Sequence, residues 1–265
     1  MILDKIEDRI GNLRGDIGIN YIDLATGESC FAGNCDVFPS SGMAKLMVLI
    51  EVFHQLELGL LKSDDKHILS QRDRACYKNA SIEVPSYGVL SFLHEGLELC
   101  LSDLYYLMIT VSDNTAFNIL LEKTGMDNVN EMLKGYGFQN TVINRAFFDW
   151  DKIAEGVENY HSVKEVTDIF HRLYLGQLVS GAASTAILSI LQRHQRTNII
   201  PYYFPERLSI AHQTGFDEGL IHDMGVVYSE RPFVLCMSAA NVDTRKAESV
   251  MRDVALICYK NSNGL

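Results

Sequence analysis

Near the start of the chain, Leu3, Ile6, Ile10 and Leu13 recur at helical spacing, and Ile17, Ile19 and Tyr21 then alternate with polar residues. The first pattern predicts an amphipathic helix and the second a half-buried strand. Ala25-Thr26-Gly27-Glu28 reads as a turn and Ser29–Ala32 as a returning strand, which together predict a hairpin. Phe38-Pro39-Ser40-Ser41 leads into Met43, Leu46, Met47, Leu49, Ile50 and Phe53, a helical run to about Leu60. Ser40 or Ser41 is its expected cap, with Lys45 in the first turn. Lys62 to Ser91 is polar and unperiodic, predicting loops with short helical turns.

Leu104, Leu107, Met108 and Val111, then Ala116, Ile119 and Leu120, repeat helically on either side of a polar break at Ser112-Asp113-Asn114, and Gly125 stops the run. Further helices are predicted at Val129–Leu133, Val163–Tyr174 and Ala182–Arg193. Leu208–His212, Ile221–Tyr228 and Pro232–Ala240 read as strands, and Arg245–Tyr259 as a closing helix. Strands therefore lie at both ends and helices between them. The economical fold class is α/β in the α+β sense: an antiparallel sheet from both termini, flanked by helices, with an inserted all-α lobe. The expected boundaries are 1–37 with 195–265 for the α/β domain and 38–194 for the helical one.

Composition narrows the function. The chain has 265 residues, is 47% hydrophobic and carries a net charge of -11. That supports a sizeable core and, with no basic run, speaks against nucleic-acid or anionic-membrane partners. No stretch reaches the apolar length of a membrane span. Asp4, Lys5, Glu7, Asp8 and Arg9 do not suit a signal peptide, so a cytoplasmic protein is expected, or an exported one if a leader has been removed. Cys30, Cys35, Cys76, Cys100, Cys236 and Cys258 lack CxxC or Cys/His spacing, which predicts free thiols and neither a metal site nor a bound cofactor. A monomer is the expected state.

Three short motifs carry the candidate chemistry. A lysine at a buried helix start, beside a hydroxyl three residues earlier, makes a nucleophilic site; here Lys45 is present but Gly42 stands in the hydroxyl's place. The second motif is Val111-Ser112-Asp113-Asn114-Thr115. The third is Ala211-His212-Gln213-Thr214-Gly215, at a strand end entering a turn.

In this order and spacing the chain resembles the class A β-lactamases and the wider penicillin-binding serine hydrolase superfamily, whose signature is S-x-x-K, S-D-N and K-T-G. The resemblance also takes in the Phe38-Pro39 approach, Gly156-Val157-Glu158-Asn159-Tyr160 and His222-Asp223-Met224-Gly225-Val226-Val227. It implies a β-lactamase/transpeptidase-like fold and a small-molecule amide or β-lactam ligand. It gives Lys45 the role of helping to deprotonate the nucleophile, and Ser112 that of relaying a proton to a leaving amine. Asn114 would orient a substrate amide, and Thr214, followed by Gly215, would contact a substrate carboxylate. Backbone N–H groups at the helix start would stabilise an oxyanion.

The departures from the signature are equally specific. Gly42 occupies the nucleophile position, so no acyl-serine forms there. Gln213 replaces the third motif's lysine, and Phe147 stands where the family has a water-activating glutamate. Losing a nucleophile costs several powers of ten in rate. Three readings follow: a hydrolase whose Gly42 is an engineered or allelic replacement, a natural pseudoenzyme that binds or regulates, and a different reaction through Ser41 or Ser112. Ser41 is one position, about 100° of helical rotation, from the attack geometry. Asp149, Glu155 and Glu158 read as solvated carboxylates, His212 and His222 as packed strand residues, and Tyr202-Tyr203-Phe204 as packing.

Overall fold

A computed structural model describes residues 1–75, 78–79, 82–83 and 88–265; Cys76 and part of the expected 62–91 loop lie outside them. The chain divides into two compact units, Met1–Met43 with His161–Leu265, and Ala44–Tyr160.

The first unit is built on a five-stranded antiparallel sheet. Its strands are β1 (Asp16–Asp23), β2 (Ser29–Gly33), β3 (Ile210–Asp217), β4 (Leu220–Val227) and β5 (Phe233–Ala240), in the order β2-β1-β5-β4-β3. Every residue of β4 and β5 is buried. Burial on both faces explains why these strands are apolar almost throughout rather than alternating. On one face, the N-terminal helix (Ile2–Ile10) and the C-terminal helix (Thr244–Ser262) pack Ile2, Ile6, Val254 and Cys258 against Ile19, Tyr21, Leu235 and Met237. Gly18 points the other way, toward Phe38 and Val163 at the start of the helix Val163–Tyr174.

That helix packs on β1, β4 and β5, and the helix Gly181–Leu191 packs on β3. Both therefore belong with the sheet. The compact units change at 43/44 and 160/161 rather than at 37/38 and 194/195; the later boundary moves because an amphipathic helix has the same pattern whether it covers a sheet or another helix. The third-motif strand also runs further than expected. β3 continues through Gln213, Thr214 and Gly215 to Asp217, and the turn comes at Glu218-Gly219.

The second unit is mainly helical, with helices Ala44–Glu57, Leu101–Thr110, Asn114–Thr124 and Met126–Gly135. Ala44 to Val52 are buried without a break, which makes the first of these a central helix. The polar break at Ser112-Asp113 separates two helices, as expected. Asp113 caps the second, Oδ1 accepting from Ala116 N at 2.9 Å, while Oδ2 accepts from Val89 N at 2.6 Å and Leu90 N at 2.9 Å. Gly88 is required beside it: its φ is +103°, and a Cβ there would collide with the Asp113 carboxylate. Among the described residues no helix is long and apolar enough to cross a membrane.

Candidate functional site

In the helical unit, Lys45 lies in the first turn of the central helix and is 2% exposed. Its Nζ donates to Asn114 Oδ1 at 2.7 Å and sits 4.5 Å from the centroid of the Phe147 ring, a cation–π contact. Phe147 stacks on Phe117 with centroids 4.1 Å apart. Its backbone is clamped by the Asn118 amide, which accepts from Phe147 N at 2.9 Å and donates to Phe147 O at 3.0 Å. An aromatic face thus covers the lysine. Ser112 is half-buried, in a left-handed turn with φ +58°, two residues before Asn114.

The nearby carboxylates are already engaged. Both Glu158 carboxylate oxygens accept from Arg145 Nη2, at 2.7 and 2.8 Å, so the expectation of a solvated side chain is corrected by a partner thirteen residues upstream. Asp149 caps a short helix through Lys152 N, and Glu155 pairs with Lys152 at the surface.

In the sheet unit, Gly42 lies in a 3-10 turn, Ser41–Met43, packed directly on β3. A Cβ at Gly42 would stand 2.3 Å from the Thr214 carbonyl oxygen and 3.2 Å from Gly215 Cα. Both are backbone atoms, so no side-chain rotation makes room. The Gln213 amide fastens the same joint: Nε2 donates to Gly42 O and to Thr214 O, each at 3.2 Å. Its Oε1 is buried without a hydrogen-bond partner among the described residues. Ser41, expected as a cap, instead donates from Oγ to Phe216 O at 2.9 Å with φ +42°. Ser40 Oγ is buried and unpartnered. Local spacing makes the turn's hydroxyls look like caps because the close approach of a distant strand leaves no trace in it.

Four histidines surround this joint. His222 Nε2 donates to Pro39 O at 3.0 Å, and His161 lies 2.9 Å from Ser238 Oγ, the two rings edge to face. Burial pushes the His222 imidazole down to about 4, against the Pro39 carbonyl, which favours the protonated ring. Burial, with His222 alongside, holds His161 well below the ordinary range. On the other side of β3, His194 Nε2 lies 2.9 Å from Thr214 Oγ1, and His212 Nδ1 lies 2.7 Å from Asp223 Oδ1. The strand histidines are packed, as expected, but the His212–Asp223 pair and His194 were not read from sequence. Cross-strand register was the missing information: Asp223 faces Thr214 across β3 and β4. Among the described residues no cluster has a metal-ligand composition.

The sheet unit thus brings Gly42, Gln213, Thr214 and Gly215 together, and the helical unit brings Lys45, Asn114 and Phe147 together. The family model described as the β-lactamase enzyme family matches residues 2–262. The chain belongs to that family. Its curated relatives include the β-lactamases CARB-3 and PSE-1 of Pseudomonas aeruginosa, each 22% identical over 243 residues, or 89% of this chain and 81% of theirs. Among solved structures, a β-lactamase from Sphaerobacter thermophilus is 24% identical with a TM-score of 0.87, covering 100% of this chain and 97% of that one. PBP-A is 22% identical with a TM-score of 0.86, covering 100% and 96%. At these identities the structures show the family's fold: a sheet flanked by helices, of β-lactamase/transpeptidase type.

Proposed function

We propose that this member of the β-lactamase family is a non-acylating, ligand-binding protein that holds an intact amide, β-lactam or related, without forming an acyl-enzyme. The observation that carries the reading is the occupied space at Gly42. The position that would bear the nucleophile has no hydroxyl and no room for the Cβ that a hydroxyl needs. Gln213 supports the reading further. It replaces a cation that draws anionic substrates with a neutral amide that ties Gly42 and Thr214 together. Phe147 replaces a water-activating carboxylate with a ring. Thr214 and Gly215 in the sheet unit, and Lys45, Ser112 and Asn114 in the helical one, keep the residue types that the resemblance assigns to ligand recognition.

The persistence of the Lys45–Asn114 hydrogen bond favours a second reading, a silenced hydrolase. Two measurements separate them. Incubated with a labelled penicillin, the chain is expected to keep its unmodified intact mass while equilibrium dialysis detects reversible binding. The Gly42→Ser variant is also expected to remain unacylated, because its side chain has no space. Acylation of that variant would establish the silenced hydrolase, and a covalent adduct on the parent chain would overturn both.

A further inference from the structure

Within the helical unit, a cavity of about 700 Å³ lies between the helix Asn114–Thr124 and the segment 146–149. Ile119, Met126, Phe147 and Phe148 form its apolar wall. Met126 and both phenylalanines are half-buried, so each keeps surface that no protein atom covers. Phe148 is held there under strain. Its φ is +59°, a left-handed backbone that a bulky side chain rarely adopts, and such conformations persist mainly where a side chain has to be presented in one place.

The polar groups around the cavity are already engaged. Arg72 pairs with Glu122 at 3.5 Å. Asp73 Oδ2 accepts from Ser70 N at 2.8 Å and from Ser70 Oγ at 2.7 Å, and lies 3.0 Å from His67 Nε2. Asp149 caps its short helix through Lys152 N, and both ends of the Asn118 amide are taken by the Phe147 backbone. A charged ligand would have to displace these partners. An anion would in addition face Asp73, Glu122 and Asp149, which outnumber Arg72 in the lining. A neutral ligand meets neither obstacle and gains from the burial of apolar surface.

We infer that this cavity binds a small neutral aromatic molecule, its ring against Phe148 and Met126. Ring–ring and sulfur–ring contacts favour an aromatic body over an aliphatic one of the same size, and the volume is that of a small-molecule site. The cavity shares Phe147 with the cover over Lys45 but uses none of the three motifs. The inference therefore stands whether or not the chain binds a lactam.

The test is calorimetric titration of the intact chain with p-cresol, and with benzylammonium and benzoate as charged analogues of similar size. Trp150, the chain's single tryptophan, reports on the same place, because its ring centroid lies 5.9 Å from that of Phe148. With excitation beyond the cresol absorption band, its emission is followed alongside the heat. p-Cresol is expected to saturate with a dissociation constant of about 1 mM or below, with the Trp150 emission changing at the same midpoint. Both charged analogues are expected to bind at least about fivefold more weakly. Phe148→Ala, which removes the ring, is expected to weaken p-cresol about tenfold. Met126→Glu is a second variant whose carboxylate suits the first turn of its helix, and it is expected to weaken p-cresol as much by charging the wall. Absence of saturation by about 10 mM p-cresol, heat without a Trp150 response, or unchanged affinity in either variant that folds overturns the proposal. Either charged analogue binding as tightly as p-cresol overturns the assignment of a neutral ligand.

Discussion

Adding one methyl group at residue 42 tests whether that position has room for a side chain. Gly42 does not adopt a left-handed backbone, and a glycine of that kind replaced by alanine ordinarily gains about 0.4–1 kcal/mol by restricting the unfolded chain. Here the new carbon meets the Thr214 carbonyl, so Gly42→Ala is expected to lose roughly 1–3 kcal/mol, as overpacked cores do. Urea denaturation measures the sign, and a stabilised variant would show that the joint is open. The glycine is plain in the sequence but the close approach of Thr214 is not, because the two residues lie in distant stretches. A serine at residue 42 is therefore expected to give a less stable protein unless the strand also moves.

At the scale of elements, the helix Asn114–Thr124 depends on its cap more than its length suggests. The Asp113 carboxylate receives Ala116 N, Val89 N and Leu90 N, so Asp113→Ala leaves three backbone donors without their acceptor. A lost cap costs about 1 kcal/mol and each stranded buried donor about as much again or more. A loss of at least about 2 kcal/mol is expected from chemical denaturation, and a loss below about 0.5 kcal/mol would mean that water replaces the carboxylate. The polar break itself was legible, since two apolar helical runs flank it, but the second employer of Asp113 was not. The same holds across the fold. Periodicity located β1, β4, β5 and the long helices to within a few residues. It missed the continuation of β3 through Gln213-Thr214-Gly215, because small and polar residues there read as a turn although neighbours cover both faces. The three motifs made Gly42, Lys45, Ser112, Asn114, Gln213 and Thr214 candidates. The His212–Asp223 pairing and the cover of Phe147 over Lys45 were not, since both arise from register and loop placement.

For the whole molecule, the two buried imidazoles set a pH dependence. His222 and His161 bind protons less readily folded than unfolded, so as pH falls below the ordinary imidazole range the unfolded chain takes up protons first. Stability is therefore full above about pH 6.5 and falls as pH drops toward 4, with His222 alone contributing roughly 3 kcal/mol to the loss. Denaturation midpoints between pH 7 and 4.5 should decrease steadily, and a flat profile would show that these rings take up protons as readily folded as unfolded. The sheet's wiring has a different consequence, in time rather than in energy. β1 lies between β2 and β5, pairing Asp16 with Ala240 and Asp23 with Phe233, so the first strand made stays without its inner neighbour until almost the entire polypeptide exists. The continuous segment Ala44–Tyr160 has no such wait. On a ribosome the helical unit can mature first, while the earliest-made strands remain open to misassociation until the last one emerges.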